Sequence, residues 1–381
     1  MAKVFNVTAD CKPAVHYMVD IEKRLKEIKV LVDSGKYFTI NRARQYGKTT
    51  TLRALGRYLQ NGYYIVSLDF QTISDAKFKN ENTFAVSFGK IFLRALKSNK
   101  ITAGVDFTSA IAKLDKNVGE RQKDYELMEL FEDLSEVCSS ADRGIVLMID
   151  EVDSAANNQV FMDFLAQLRA YYIDRDIHPT FQSVILAGVY DVKNLRRKIR
   201  PDDEHKWNSP WNIAAEFDVD MSFSKEEIAG MLREYETDCH TGMNVTEISE
   251  LLYDYTSGYP FLVSRLCKLM DEEIEGKDNF DSKSKVWTKE GFHEAVRMIL
   301  SEKNTLFESL IGKLMNDPEL NTMIQSLLFT GKTILYNADN VSIDNATMFG
   351  FIKNQHGTVA IANRIFEMRL YNYYLSISCF T

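Results

Sequence analysis

The stretch Tyr37-Phe-Thr-Ile-Asn-Arg-Ala-Arg-Gln-Tyr-Gly-Lys-Thr-Thr-Thr-Leu52 constrains the fold of this chain more than any other. A short apolar strand runs through a turn into a helix, and the turn carries Gly47, Lys48 and Thr49 in that order. That order suits phosphate binding: backbone N–H groups curl round an anion, a lysine reaches the outer phosphates, and a hydroxyl holds magnesium. Arg44, Gln45, Tyr46 and Gly47 form the loop, Lys48 is the cation, Thr49 carries the metal hydroxyl, and Thr50 opens the helix whose positive end faces the phosphates. Arg42 stands where the usual G-x-x-x-x-G-K-[ST] pattern has its first glycine, so the motif needs support from elsewhere.

Support comes about a hundred residues later, where Gly144-Ile-Val-Leu-Met-Ile-Asp-Glu-Val-Asp153 is a continuous apolar run ending in acids. It has the pattern of a buried parallel strand that delivers carboxylates from its C-terminal end. Asp150 is expected to hold Mg2+ through water, and Glu151 to polarise an attacking water as the catalytic base. Alone, each motif has a bland reading: G-K-T occurs by chance, and an acidic strand end can simply be leaving the core. Their order and spacing together favour a site.

Further strands, Tyr63–Phe70 and Gln182–Tyr190, alternate with helical patterns at Phe84–Leu96, Leu127–Cys138 and Val160–Tyr172. This predicts an α/β fold, a parallel sheet between helices of the P-loop NTPase kind. Asp69 and Gln71 at the first strand's end are solvated residues or restrain Glu151. The run Lys193–Arg200 is a charged surface helix or a partner contact. Ser224-Lys-Glu-Glu227 has the form of a capping box and opens a helical lid. In the lid, Gly258-Tyr-Pro260 puts Pro260 at a helix start, where it approaches the nucleotide or serves only the junction. Later helices, then Gly331–Tyr336 and Val359–Ala362 as a β pair and a closing helix from Ile365, suggest a winged-helix-like module. The expected boundaries are 1–218 for the core, 219–302 for the lid and 303–381 for the winged-helix-like domain.

A length of 381 residues exceeds one ordinary core. The formal charge of −8 gives no global attraction to nucleic acid or an anionic membrane. Residues 301–381 carry six Lys/Arg against seven Asp/Glu, poor footing for a phosphate backbone, so a protein partner or self-association is favoured. No run approaches the roughly twenty apolar residues of a membrane span, and the first residues lack a signal-peptide apolar region. A cytoplasmic protein with no membrane partner is expected. The five cysteines are scattered, which fits reduced thiols better than disulfides or a structural metal site.

On His16–Asp20, Asn41–Thr50, Val146–Asp153, Ile185–Gly188 and Gly258–Pro260, the chain resembles the AAA-like ATPases of bacteria and archaea that sit near the STAND group and the replication initiators. In those families R-x-R-Q-x-G-K-T is a usual form of the phosphate loop, so Arg42 is a family mark. The resemblance implies ATP and Mg2+ as cofactors and slow hydrolysis acting as a conformational timer. It also places Tyr17, Met18 and Val19 near the adenine, unless they only start a packed helix, and a γ-phosphate sensor at Asp191 or Tyr190. A carboxylate at Asp191 would act through a water or the metal. Arg169 and Arg175 are the positions for an arginine offered to a neighbour. The expected function is a regulatory ATPase switch of the stress, mobile-element or phage-defence type. The alternative is a nucleic-acid-binding, replication-initiator-like ATPase.

Overall fold

The computed structural model describes residues 3–99, 104–120, 123–189, 211–277 and 279–378. In chain order the strands are β1 (Val4–Phe5), β2 (His16–Tyr17), β3 (Phe38–Asn41), β4 (Tyr64–Asp69), β5 (Ile145–Asp150), β6 (Ser183–Gly188), β7 (Ile352–Gln355) and β8 (Thr358–Ile361). Contacts divide the chain into a sheet unit, 22–41 with 51–219, and a helical unit, 1–21 with 42–50 and 220–381.

The sheet unit holds a parallel sheet in the order β3-β6-β5-β4. β5 and β6 are buried at every position, which is why their sequences are unbroken apolar runs. β4 alternates buried and open positions, with one face on the core and the other more open. The register sets Asn41 beside Gly188 and Asp69 beside Asp150, so the C-terminal ends of all four strands share one edge. Helices Glu81–Lys97, Leu127–Ser140 and Gln159–Ile173 cover the sheet with a phenylalanine cluster, in which the Phe88 and Phe164 ring centroids are 4.8 Å apart. Such ring pairs are worth about 1 kcal/mol beyond the area they bury.

In the helical unit, helix Lys225–Cys239 begins at the predicted capping box, with Ser224 and Glu227 exchanging bonds. Val245–Thr256, Pro260–Lys268 and Lys289–Ser301 complete the lid. Residues 3–21 belong to this unit. β1 and β2 bring Phe5 and Tyr17 onto Tyr235, at 5.1 Å each, and Tyr235 lies 4.6 Å from Trp287. Four large rings find their burial in one another, a preference no local periodicity displays.

The C-terminal part has helices Thr305–Asn316, Pro318–Phe329 and Val341–Met348, the antiparallel hairpin β7–β8, and closing helix Arg364–Ser378, a winged-helix-like arrangement. The strand pairing differs from the expected one. Gly331–Tyr336 adds only a bridge from Leu335 to Thr358, and β8 pairs mainly with β7. β7 is Ile-Lys-Asn-Gln with three exposed positions, so its sequence carries no apolar signal. The hairpin is set instead by its turn, where His356 and Gly357 both have positive φ, 52° and 84°. Among the described residues no helix is long and apolar enough to cross a membrane.

Candidate functional site

The phosphate loop belongs to the helical unit. Between Asn41 and helix Lys48–Leu59 the backbone turns left-handed at Gln45 (φ 57°) and Gly47 (φ 79°). A Cβ on Gly47 would meet nothing within 4 Å, so conformation, not space, asks for glycine there. Arg42 has no positive φ, and the glycine missing from that position is no loss to the backbone. Its carbonyl has a role: the Lys48 Nζ donates to the carbonyls of Arg42, at 2.8 Å, and Ala43, at 3.0 Å. The ammonium is nearly buried and is held inside the ring of the loop. Thr49 and Thr50 form the first helical turn, and Thr50 Oγ1 accepts from the Cys11 N–H at 3.2 Å.

The loop's outer side is held by residues far away in sequence. Tyr259 donates its hydroxyl to the Arg44 carbonyl, and its ring meets Tyr46 edge to face at 4.7 Å. Burial pushes the Tyr259 phenol up, which keeps it a protonated donor. Gln45 Nε2 donates to Thr305 Oγ1 at 3.3 Å, at the first residue of helix Thr305–Asn316. Gly350 comes so close that a Cβ there would lie 2.8 Å from the Ala43 Cβ. Pro260, the predicted contact, is buried at the first position of its helix, directly after Tyr259. Tyr17 is 3% exposed, donates to Asp238 at 2.9 Å, and has its ring inside the Phe5–Tyr235 cluster. Val19 is buried as well.

In the sheet unit, Asp150 is the last residue of β5, and its Oδ1 accepts from the Glu151 N–H at 3.0 Å. Glu151 adopts φ 54° and ψ 41°, a conformation non-glycine residues take at a cost of roughly 1–2 kcal/mol. It thereby turns the chain sharply at the strand's end. Asp153, two residues on, accepts from the Val189 N–H at 2.6 Å beyond β6. Gly188 admits that carboxylate, since a Cβ there would stand 2.8 Å from Asp153 Oδ1. β5 and β6 are thus tied at their C-terminal ends by an acid that sequence reading left without a role.

Asp69 accepts from the Gln71 N–H at 2.9 Å, capping the short turn after β4. Arg175 donates to the Gly35 carbonyl at 3.2 Å and lies 5.0 Å over the Tyr172 ring, a structural engagement within its own unit. Arg169 has a buried Nε with no hydrogen-bond partner. Tyr190, Asp191 and the basic run Lys193–Arg200 lie outside the described residues. Among the described residues no group of three His, Cys, Asp or Glu forms a metal cluster.

The sequence matches the family described as AAA-like domain over residues 14–376. No curated protein sequence matches the chain. Among solved structures it is similar to the Walker-type ATPase PABY2304 of Pyrococcus abyssi, with TM-score 0.62, 12% identity, and coverage of 96% of this chain and 99% of that one. It is also similar to the ORC2 protein of Aeropyrum pernix in its ADPNP–ADP complexes, with TM-score 0.51, 10% identity and 98% of both chains covered. At these identities the likeness speaks for the fold.

Proposed function

The chain belongs to the AAA-like domain family, and from that premise we propose that it binds ATP with Mg2+ and hydrolyses it slowly as a conformational switch. The observation that carries this reading is the phosphate loop: left-handed turns at Gln45 and Gly47, a caged lysine, and a helix beginning at that lysine. A cation already satisfied by carbonyls, beside backbone N–H groups at a helix N-terminus, is suited to exchange those carbonyls for phosphate oxygens. Arg44, Gln45, Tyr46 and Gly47 line the phosphates, Lys48 reaches the outer ones, and Thr49 and Asp150 hold the metal. Magnesium supplies charge neutralisation to the phosphates. Glu151 orients and deprotonates the attacking water, and Asp191 or Tyr190 senses the γ-phosphate.

The base contact falls to the backbone around Tyr17 and Val19, since the Tyr17 ring is taken up by its aromatic neighbours. Pro260 and Tyr259 report the state of the loop to the lid. The fit of magnesium to this donor set rests on a hydroxyl and a carboxylate, hard oxygen ligands that leave room for phosphate and water. Lys48→Ala is expected to abolish ATP binding in calorimetry. Glu151→Gln is expected to bind ATP and leave it intact, and normal turnover by that variant removes Glu151 from the base role.

The switch acts through a protein partner or self-association, in a regulatory role of the stress, mobile-element or phage-defence type. The balance of six cations against seven carboxylates over residues 301–381 supports a protein partner over nucleic acid, although the module is winged-helix-like. The DNA reading is tested by a salt titration with duplex DNA. Tight binding at low salt with a steep salt slope would reverse this preference.

A further inference from the structure

Within the sheet unit, the register between β5 and β6 runs from Val146 beside Ser183 to Ile149 beside Leu186 and goes no further. β6 stays in register with β3 as far as Gly188, which stands beside Asn41. β5 departs because Glu151 turns the chain: φ 54° and ψ 41° are far from the extended backbone that a ladder needs. Beyond that turn the two strands are joined by a side chain. Asp153 Oδ2 accepts from the Val189 N–H at 2.6 Å, and a carboxylate accepts more strongly than a neutral carbonyl. Gly188 leaves the space for it, since a Cβ there would stand 2.8 Å from Asp153 Oδ1 and 2.9 Å from Val152 Cγ2. Gly188 has no positive φ, so it is space and not conformation that asks for a glycine.

The turn that carries Asp153 also carries Glu151, and its own bonds hold it as a unit. Asp150 Oδ1 accepts from the Glu151 N–H at 3.0 Å, and Ser154 donates its N–H at 3.1 Å and its hydroxyl at 2.8 Å to the Glu151 carbonyl. The Ala155 N–H then donates to the Val152 carbonyl at 3.1 Å, and the Ala156 N–H to the Asp153 carbonyl at 3.3 Å. A left-handed residue with a Cβ persists only where its surroundings over-determine it, and such residues gather at functional sites. These local bonds fix the shape of the turn and move with it. The bond from Val189 to Asp153 is of another kind, because it refers the whole turn to a different strand.

We propose that Asp153 is a positioning residue for ATP hydrolysis: by holding the Val189 N–H it fixes the Glu151 turn against the end of β6. The inference rests on the reading of Glu151 as the catalytic base. A base works only within hydrogen-bond reach of the proton it takes, so a turn free to shift by a fraction of its width loses rate before it loses nucleotide. Asp153 and Gly188 lie outside the phosphate loop in the chain, so their role falls on turnover and not on affinity.

The test uses the full-length chain and three readouts: kcat for ATP, ATP affinity by calorimetry, and backbone hydrogen exchange over residues 150–156 and 183–189. Asp153→Ala is expected to speed exchange in both segments and to leave ATP affinity unchanged. Its kcat is expected to fall about ten- to a hundredfold, as a displacement of about 1 Å does. Asp153→Asn keeps an oxygen for the Val189 N–H and is expected to recover part of that kcat. Gly188→Ala keeps the carboxylate but displaces it, and is expected to lower kcat in the same way even if Asp153→Ala fails to fold. Asn99→Ala is the control: it strips the 2.9 Å bonds from the Ile65 N–H and carbonyl in the same unit, so the melting temperature should fall and kcat should not. A wild-type kcat in Asp153→Ala, or an equal loss of kcat in Asn99→Ala, overturns the proposal. The two failures are separable. Wild-type protein that binds ATP without hydrolysing it, or Glu151→Gln that turns over normally, removes the base reading and this inference with it, whereas turnover that survives Asp153→Ala removes the positioning role alone.

Discussion

Replacing Gly258 by alanine should cost far more than a surface glycine ordinarily does, and the size of the loss can be worked out from its surroundings. Gly258 has φ 72°, where an alanine pays about 1–2 kcal/mol in backbone energy. Its Cβ would also lie 2.0 Å from the Phe223 carbonyl oxygen and 2.8 Å from the Phe223 nitrogen. Those are backbone atoms that no rotamer change removes, and the same pair of residues is joined by the Phe223 N–H donating to the Gly258 carbonyl at 2.8 Å. Relieving the collision breaks that bond, worth about 1 kcal/mol, and adds an overpacking strain of about 1–3 kcal/mol. The whole comes to about 3–6 kcal/mol. Gly242→Ala is the control: it has φ 76° in the same unit, and its Cβ would meet nothing within 4 Å, so only the backbone cost of about 1–2 kcal/mol applies. Urea denaturation of both variants beside the wild type reads the difference. Because Tyr259 follows Gly258 and holds the Arg44 carbonyl, ATP affinity should fall in Gly258→Ala and stay level in Gly242→Ala. Equal losses of stability in the two variants would refute the collision argument.

Tyr259→Phe keeps the ring against Tyr46 and removes only the hydroxyl bound to the Arg44 carbonyl; since Arg44 is exposed and water can replace the donor, stability should drop by about 0.5–1 kcal/mol while ATP affinity falls severalfold in calorimetry. Asp153→Ala leaves the Val189 N–H without its carboxylate, so a loss of about 1–3 kcal/mol is expected in thermal melts, and Asp153→Asn should retain part of it through its carbonyl oxygen. Alkaline pH is a third lever. Burial raises the Tyr17, Tyr235 and Tyr259 phenols, and burial pushes Tyr374 up to about 12, while an unfolded tyrosine titrates near 10. Above that pH the unfolded chain gives up protons the folded one keeps, so the stability these groups contribute is complete below about pH 10 and drains away as pH rises beyond it. A melting temperature that stays flat from pH 9 to 11 would contradict this.

Much of the sheet unit was legible because its signals are local. Strands buried on both faces must be apolar throughout, and β5 and β6 announce themselves in Val146–Ile149 and Val184–Ala187. The capping box at Ser224 and the proline at position 260 work through neighbours three or four residues off, within reach of sequence reading. β7 was not legible. Its exposed Lys-Asn-Gln has no pattern to display, and its pairing is dictated by the left-handed His356–Gly357 turn. The placement of residues 3–21 was hidden too, since Phe5 and Tyr17 are ordinary aromatics until Tyr235 and Trp287, more than two hundred residues away, supply their surroundings.

The same division runs through the phosphate loop itself, and it says what kind of residue sequence motifs capture. Gly47, Lys48 and Thr49 act through the backbone and side chains of one turn, so their chemistry is written in consecutive letters. The groups that hold the turn in place are scattered: the Cys11 N–H on Thr50, the Tyr259 hydroxyl on Arg44, Thr305 on Gln45, and Gly350 against Ala43. Gly350 marks the difference best. With φ 74° it reads in sequence as a turn glycine, yet a Cβ there would also strike Ala43, so its replacement by alanine disturbs the loop as well as its own turn. A motif therefore identifies the consecutive residues of the turn, whereas the supports that hold the turn come from the N-terminal segment, the lid and the winged-helix-like part, which only the folded chain brings together.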